Sequence, residues 1–491
     1  MILARPEGGV ARIRERPSAG AWIAPGALMR AAPVIILALW AAAALPWLPL
    51  RSFIHEEGKN AALAQDILAR GNLIVPGLYG VPWIEKPSLL AWLIAGLAEL
   101  TGGVHEWTAR APAMLSALGT ALLVLRLARR YASPCAALFA SLAFLFSPML
   151  MQSMAVAEPD TVITFLSFAA FSLWLDGVCG GRVSPLRWLG CAILMAILVM
   201  AKGPQPAAFF ALGVGADTVR RRSWRELMSL ALCLAAPALA VLAWAAAVYR
   251  PGAGTVWMGY MRLGAPLNLA ANARWLGVVA LELMPGLLLA PLAAGLGRPR
   301  QSAQPIVPAL TLYACVAACA LLVWPGANGR YAMPVTPAVA TLAGLAWDDA
   351  ASGWRLGVRR IATGGLAGLI AVQLLLVGLG PPLFPGRFGQ SRRAGQMIAA
   401  AVRADPAPLY CSSRPNNQPD TDVLFYVGLP IHGLQPSAFA GLVAPAWVEG
   451  SAGEIAALLR ARPDLRETRT VAAGYGASVV AARLEPVAQR P

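Results

Sequence analysis

The sequence predicts an α-helical polytopic membrane protein with about eleven transmembrane helices, an amphipathic first outer loop and a small C-terminal α/β domain. Three observations predict it. Hydrophobic residues make up 58% of the 491 positions and charged residues only 13%, with a mean hydropathy of +0.61, whereas a soluble domain carries about 25% charged residues. Several apolar runs reach the roughly 20 residues that a helix needs to cross the hydrocarbon core. The arginines fall in short clusters between those runs.

The apolar runs lie near 31–50, 109–127, 134–153, 160–178, 186–201, 204–219, 227–249, 275–296, 306–324, 331–347 and 360–379. Alternate connections carry Arg126-Arg129-Arg130, Arg182-Arg187, Arg220-Arg221-Arg222-Arg225, Arg298-Arg300 and Arg355-Arg359-Arg360. These fall on the same side as the N-terminal Arg5, Arg12, Arg14, Arg16 and Arg30, and positive charge of this kind marks the cytoplasmic side. Residues 1–30 therefore read as a basic cytoplasmic segment, with an uncleaved signal anchor after it. Residues 31–379 read as the transmembrane domain, with a first outer loop over 51–108. The more polar tail, 380–491, reads as a small periplasmic α/β domain. Its β-like runs are 424–427, 446–448 and 477–481, and a helical stretch lies near 452–462.

Several function classes drop out. The net charge of +16 does not signal nucleic acid, because the arginines serve topology and no basic–aromatic pattern accompanies them. The seven cysteines lie mostly in or beside apolar spans without a CxxC pair, so neither a disulfide framework nor a metal site is expected from them. No P-loop, glycine-rich nucleotide fingerprint or histidine cluster occurs. A polytopic lipid or solute transporter or flippase is the alternative class, but such a protein concentrates charge near the bilayer midplane on broken or repeated helices. Here the chemistry-bearing residues gather at one face.

That face carries His55-Glu56-Glu57-Gly58-Lys59-Asn60, then Trp83-Ile84-Glu85-Lys86-Pro87, each leading into an amphipathic helix suited to the interface plane. Glu158-Pro159-Asp160, Lys202-Gly203-Pro204 and Gly329-Arg330-Tyr331 stand at span ends on the same side. Each has a plainer reading. Glu56 and Glu57 can serve a helix N-terminus, Asp160 can cap one, Lys202 can snorkel and Tyr331 can sit in an interfacial belt. Taken together, carboxylates at Glu56, Glu57, Glu85 and Asp160 and cations at Lys59, Lys86, Lys202 and Arg330 suit a different task. Cations hold a phosphate by charge-assisted hydrogen bonds, and a carboxylate accepts the proton of an attacking hydroxyl.

On these residues the chain resembles the lipid-linked sugar transferases of the GT-C class. The branch it is similar to contains the bacterial aminoarabinose transferase of lipid A and the protein O-mannosyltransferases. The resemblance runs from about residue 50 to 345 and rests on the acidic pair and on Asn72-Leu73-Ile74-Val75-Pro76. It continues with Glu85-Lys86-Pro87-Ser88-Leu89, Ala109-Arg110-Ala111-Pro112, Lys202-Gly203 and Arg330-Tyr331-Ala332-Met333-Pro334-Val335-Thr336-Pro337. It implies transfer from a polyprenyl (undecaprenyl) phosphate–sugar donor at the outer face of the bacterial inner membrane, usually with inversion. The implied acceptor is lipid A, another envelope lipid, a glycan or a protein.

Carried over, Glu56 or Glu57 matches the first catalytic acid and Asp160 the second. Lys86 matches the phosphate-holding cation, with Lys59, Lys202 and Arg330 as further candidates, and Tyr331 would close the donor site. Glu85 would sit beside the phosphate, near a divalent metal ion where one is used. The family usually places Asp-Glu where Glu56-Glu57 stand, and arginine where Lys59 stands, which removes bidentate geometry there.

Overall fold

The computed structural model describes residues 25–261, 266–293, 306–324, 328–411, 418–434, 436–472 and 480–487. Arg5, Arg12, Arg14 and Arg16, Arg298 and Arg300, and most of the expected 477–481 run lie outside them. Six described helices are long and apolar enough to cross a membrane: Gly26–Leu50, Glu106–Ala128, Asp160–Cys179, Pro185–Lys202, Trp224–Val248 and Gly353–Leu383. The chain is multi-pass and helical. The expected count of eleven is not established, because several other spans are divided or short.

The divisions follow from proline. Ser-Pro pairs open the helices Pro134–Leu145, Pro148–Ser153 and Pro185–Lys202. In each, the serine hydroxyl accepts from a backbone N–H in the first turn while the proline, which has no N–H to lose, fills the first helical position. The expected span 134–153 is thus two helices, and the chain between Ser153 and Asp160 is free to turn Glu158 inward. The expected span 275–296 is likewise split into Leu269–Glu282 and Gly286–Pro291, with Pro285 between them. The expected span 331–347 begins as a 3₁₀ segment, Gly329–Val335, before the helix Thr336–Asp349.

Charge separates along the helices. Asp160 and Asp176 occupy opposite ends of Asp160–Cys179, about 24 Å apart at 1.5 Å per residue. Asp176 pairs with Arg126 and Arg130, and Asp217 with Arg220 and Arg221, so the arginine clusters are pinned where helices meet. Asp160 stands at the other end, with the remaining site residues.

The C-terminal part forms a mixed five-stranded sheet in the order Ile431–Gly433, Leu409–Cys411, Ala446–Gly450, Val480–Pro486, Leu465–Ala472. The first two neighbour pairs are parallel and the last two antiparallel. The expected strand at 424–427 is instead the end of the helix Gln418–Leu424 and the turn after it. Apolar residues there cover a helix face rather than a sheet.

That helix packs on Glu57–Arg70 of the long first connection. Gly58 N–H donates to Asp422 Oδ1 at 2.7 Å, and Phe53 N–H donates to the Tyr426 hydroxyl at 2.9 Å. A Cβ at position 58 would fall 2.5 Å from Asp422 Cα, so only glycine fits the approach.

Burial pushes the Asp422 carboxyl well above the usual aspartate range, and its Oδ2 has no hydrogen-bond partner. A carboxyl raised on folding stabilises fully below its unfolded value and loses that contribution as pH rises through the folded one. The thermal stability of the purified protein should therefore fall as pH is raised above the ordinary aspartate range. Asp422→Asn should remove this dependence; an identical pH profile for the variant would refute it.

Candidate functional site

The long first connection sends two adjacent carboxylates in different directions. His55 takes a positive φ of 60°, and the helix Glu57–Arg70 starts immediately after Glu56. Glu57 is fully buried and meets Arg110 of the helix Glu106–Ala128. Arg110 Nε and Nη2 donate to its two oxygens at 2.7 and 2.9 Å. Ala157 N–H and Ile54 N–H complete the carboxylate at 2.9 and 3.1 Å. Arg110 also donates to the carbonyls of Arg51 and Ser52 at 2.9 and 3.1 Å. This pair ties the first connection to a span and to the chain before Glu158.

Glu56 faces the other way. Its Oε2 lies 3.1 Å from Lys59 Nζ and 3.3 Å from Lys86 Nζ, and its side chain makes no helix-capping hydrogen bond. Burial pushes Glu56 upward, but Lys86, Lys59 and Lys202 outweigh it and hold the carboxylate well below its usual range. Burial lowers Lys86, and Glu56, Tyr260 and Glu85 more than reverse it. Lys59 is lowered, first by burial and then by Lys86. Trp83 lies under Lys59 and Tyr260 under Lys86, at 5.1 and 5.4 Å from ring centre to Nζ, contacts that favour the charged ammonium.

The second half of the site joins two helix ends. Asp160 opens Asp160–Cys179 and Lys202 closes Pro185–Lys202, so each sits where the helix dipole favours its charge. Pro159 takes the cap position and Asp160 follows it, with Oδ1 2.6 Å from Lys202 Nζ. Gly203, at φ 87°, makes the turn that leaves Lys202 at the helix end. Lys202 Nζ lies 4.4 Å from the ring centre of Tyr331, and the Tyr260 hydroxyl donates to the Lys202 carbonyl at 3.3 Å. Arg330 pairs with Glu158.

Two largely apolar cavities meet at Lys202 and Gln205. One, about 610 Å³, runs from Asp160, Lys202 and Tyr331 along Phe209, Leu212 and Trp324. The other, about 530 Å³, is lined by Glu85, Lys86, Tyr260, Trp257 and Trp244. An apolar channel with ammonium groups at its end suits an amphiphile with an anionic head.

The structure thus brings together Glu56, Lys59, Lys86, Asp160, Lys202 and Tyr331, with Glu85 on the wall. It places Glu57 in the Arg110 pair and Arg330 beside Glu158. Among the described residues no three His, Cys, Asp or Glu side chains converge to hold a metal ion. Glu85, beside Lys59 and Lys86, does not by itself make a divalent site. Sequence reasoning assigned no site role to Arg110, Tyr260 or Trp257. An arginine inside an apolar span was a signal for the first. The other two stand in the 250–274 connection, with nothing local to mark them.

Residues 85–246 match the model of the dolichyl-phosphate-mannose-protein mannosyltransferase family. The undecaprenyl phosphate-alpha-4-amino-4-deoxy-L-arabinose arabinosyl transferase of Enterobacter sp. (strain 638) is 29% identical over 199 residues, covering 39% of this chain and 35% of that protein. The Pseudomonas aeruginosa (strain UCBPP-PA14) protein of the same name is 26% identical over 40% of this chain and 36% of its own length. The chain spans about a third of the length of these curated relatives. The crystal structure of ArnT from Cupriavidus metallidurans bound to undecaprenyl phosphate superposes with a TM-score of 0.67 at 17% identity, covering 94% of this chain and 98% of that one. The chain is a multi-pass helical membrane protein with the fold of that structure, and its residues 85–246 are similar to the dolichyl-phosphate-mannose-protein mannosyltransferases.

Proposed function

We propose that this protein is a membrane glycosyltransferase that moves a sugar from a polyprenyl-phosphate donor to an envelope acceptor with inversion at the anomeric carbon. One observation carries the reading: the apolar groove ends on the Lys202–Asp160 pair and opens there toward Lys86 and Glu56. A prenyl tail fits the apolar length and a phosphate fits the ammonium groups at its end. The names of the relatives, which pair undecaprenyl phosphate with a sugar, support the same donor class. The positions of the arginine clusters support a site and sheet domain at the outer face of a bacterial inner membrane.

In this reading Lys86 and Lys202 neutralise the phosphate as it leaves, with Lys59 behind them, and Tyr331 covers the donor head. An acceptor oxygen bonds to the anomeric carbon from the opposite side while the bond from that carbon to the phosphate oxygen breaks. Asp160 takes the acceptor's proton. Glu56, kept ionised by its lysines, holds those lysines in register and orients the reacting groups. Lipid A, another envelope lipid, a glycan or a protein can each supply the acceptor.

The double variant Glu56→Ala, Asp160→Ala should lower transfer by about 10²–10⁴-fold without loss of protein from the membrane. The check is accumulation of the polyprenyl-phosphate sugar in cells. Undiminished transfer in the double variant would overturn the assignment.

A further inference from the structure

The donor groove has a wall, and the wall has two faces. Asp160 and Tyr331 line the groove. Their near neighbours in the chain, Glu158 and Arg330, line a separate cavity of about 930 Å³ on the other side. The wall is therefore built twice over, from Glu158-Pro159-Asp160 and from the 3₁₀ segment that starts at Gly329. A transferase that holds its donor in the groove can take its acceptor from the far side of this wall.

The far cavity has a definite chemistry. Besides Glu158 and Arg330 it presents Trp275, Glu282, Gln152 and Asn328. Arg330 is already paired with Glu158. Glu282 adds a second carboxylate, hydrogen-bonded to Gln152 at 3.4 Å. Glu158 is 3% exposed and its Oε1 has no hydrogen-bond partner. His55, exposed at the rim, is the other residue of the lining able to carry positive charge. A phosphate entering here would meet two carboxylates and no uncommitted guanidinium or ammonium among the described lining residues. Hydroxyl groups would instead find acceptors in Glu158 and Glu282, amide partners in Gln152 and Asn328, and an indole for the apolar face of a sugar ring.

We infer that this cavity is the acceptor site and that it takes an uncharged saccharide, presenting a hydroxyl to the wall, rather than a phosphate. The inference rests on the donor reading above. The saccharide oxygen bonds to the anomeric carbon of the donor sugar, and the bond from that carbon to the phosphate oxygen breaks. The polyprenyl phosphate leaves with the electron pair, and the hydroxyl proton passes to Asp160. Glu158 Oε1 holds a neighbouring hydroxyl, and Trp275 and Glu282 hold the ring. The saccharide can belong to a glycolipid headgroup or to a glycan polymer.

The test compares native cells with cells lacking the chain and cells carrying Trp275→Ala or Glu282→Gln at equal expression. Polyprenyl-phosphate sugars and envelope fractions are analysed by mass spectrometry before and after mild acid and after β-elimination. The expected product is a sugar on a saccharide hydroxyl that survives both treatments, its yield falling about tenfold in each variant, the loss of roughly one good contact. Solvent extraction separates the two sources, product in the lipid extract marking a glycolipid and product in the residue a glycan. A sugar released by mild acid, and so carried on phosphate, would overturn the inference; so would one released by β-elimination from protein, or full yield in both variants. In all three cases the donor still accumulates in the deletion strain and the donor reading stands. If no polyprenyl-phosphate sugar accumulates on deletion, the donor reading falls and takes the acceptor inference with it.

Discussion

Replacing Arg110 with methionine should destabilise the protein by about 3–5 kcal/mol, the cost of leaving a buried carboxylate without its partner. The side chains of Arg110 and Glu57 are both 0% exposed, so water cannot take over from the lost guanidinium. Ala157 N–H and Ile54 N–H would still reach Glu57 and Arg51 would stay 3.7 Å away, but these do not replace the two charge-assisted hydrogen bonds of Arg110 at that depth. The carbonyls of Arg51 and Ser52 would lose their donor as well. Thermal unfolding in detergent or nanodiscs measures the loss. The double variant Glu57→Leu, Arg110→Leu should recover part of it, because an apolar pair removes the orphaned charge while those two carbonyls remain unserved. A single variant as stable as the parent would show that the pair does not anchor the first connection.

Lys202→Met should lower sugar transfer by about 10²–10³-fold in turnover, as removal of one well-placed group that stabilises developing charge does. Methionine keeps much of the apolar stem and lets the groove along Phe209 and Leu212 persist, so donor capture should fall less than turnover. The loss falls on turnover because negative charge on the phosphate grows as its bond to the sugar breaks, and Lys202 stands where the groove ends. Lys86→Met should act in the same direction but more weakly, since Lys59 remains on Glu56 at 3.1 Å. Single-turnover measurements with a polyprenyl-phosphate sugar separate the two effects. Weaker donor binding with unchanged turnover would assign Lys202 to donor binding alone.

Much of this architecture was readable along the chain. A run of some twenty apolar residues and a cluster of arginines are local facts, and the bilayer acts on them locally. The division at Ser147-Pro148 was equally local: a serine followed by proline starts a helix, and hydropathy alone is blind to it. The strand expected at 424–427 failed for the opposite reason. An apolar run of four residues is compatible with either periodicity, and the first outer loop, far away in sequence, turned it into the flank of a docked helix.

Local charge and apolar patterning along the chain was enough to bring carboxylates and cations to one face of a helical membrane protein, Glu56, Asp160, Lys86 and Lys202 among them. Which of Glu56 and Glu57 faces the lysines is set by packing between distant parts of the chain. Adjacent residues at a helix start point about 100° apart, and Arg110, fifty-three positions along the chain, claims one of them. The same holds for the wall. Glu158 and Asp160 differ by two positions and Arg330 and Tyr331 by one, yet they line different cavities, because their directions are set by helices packed from distant parts of the chain.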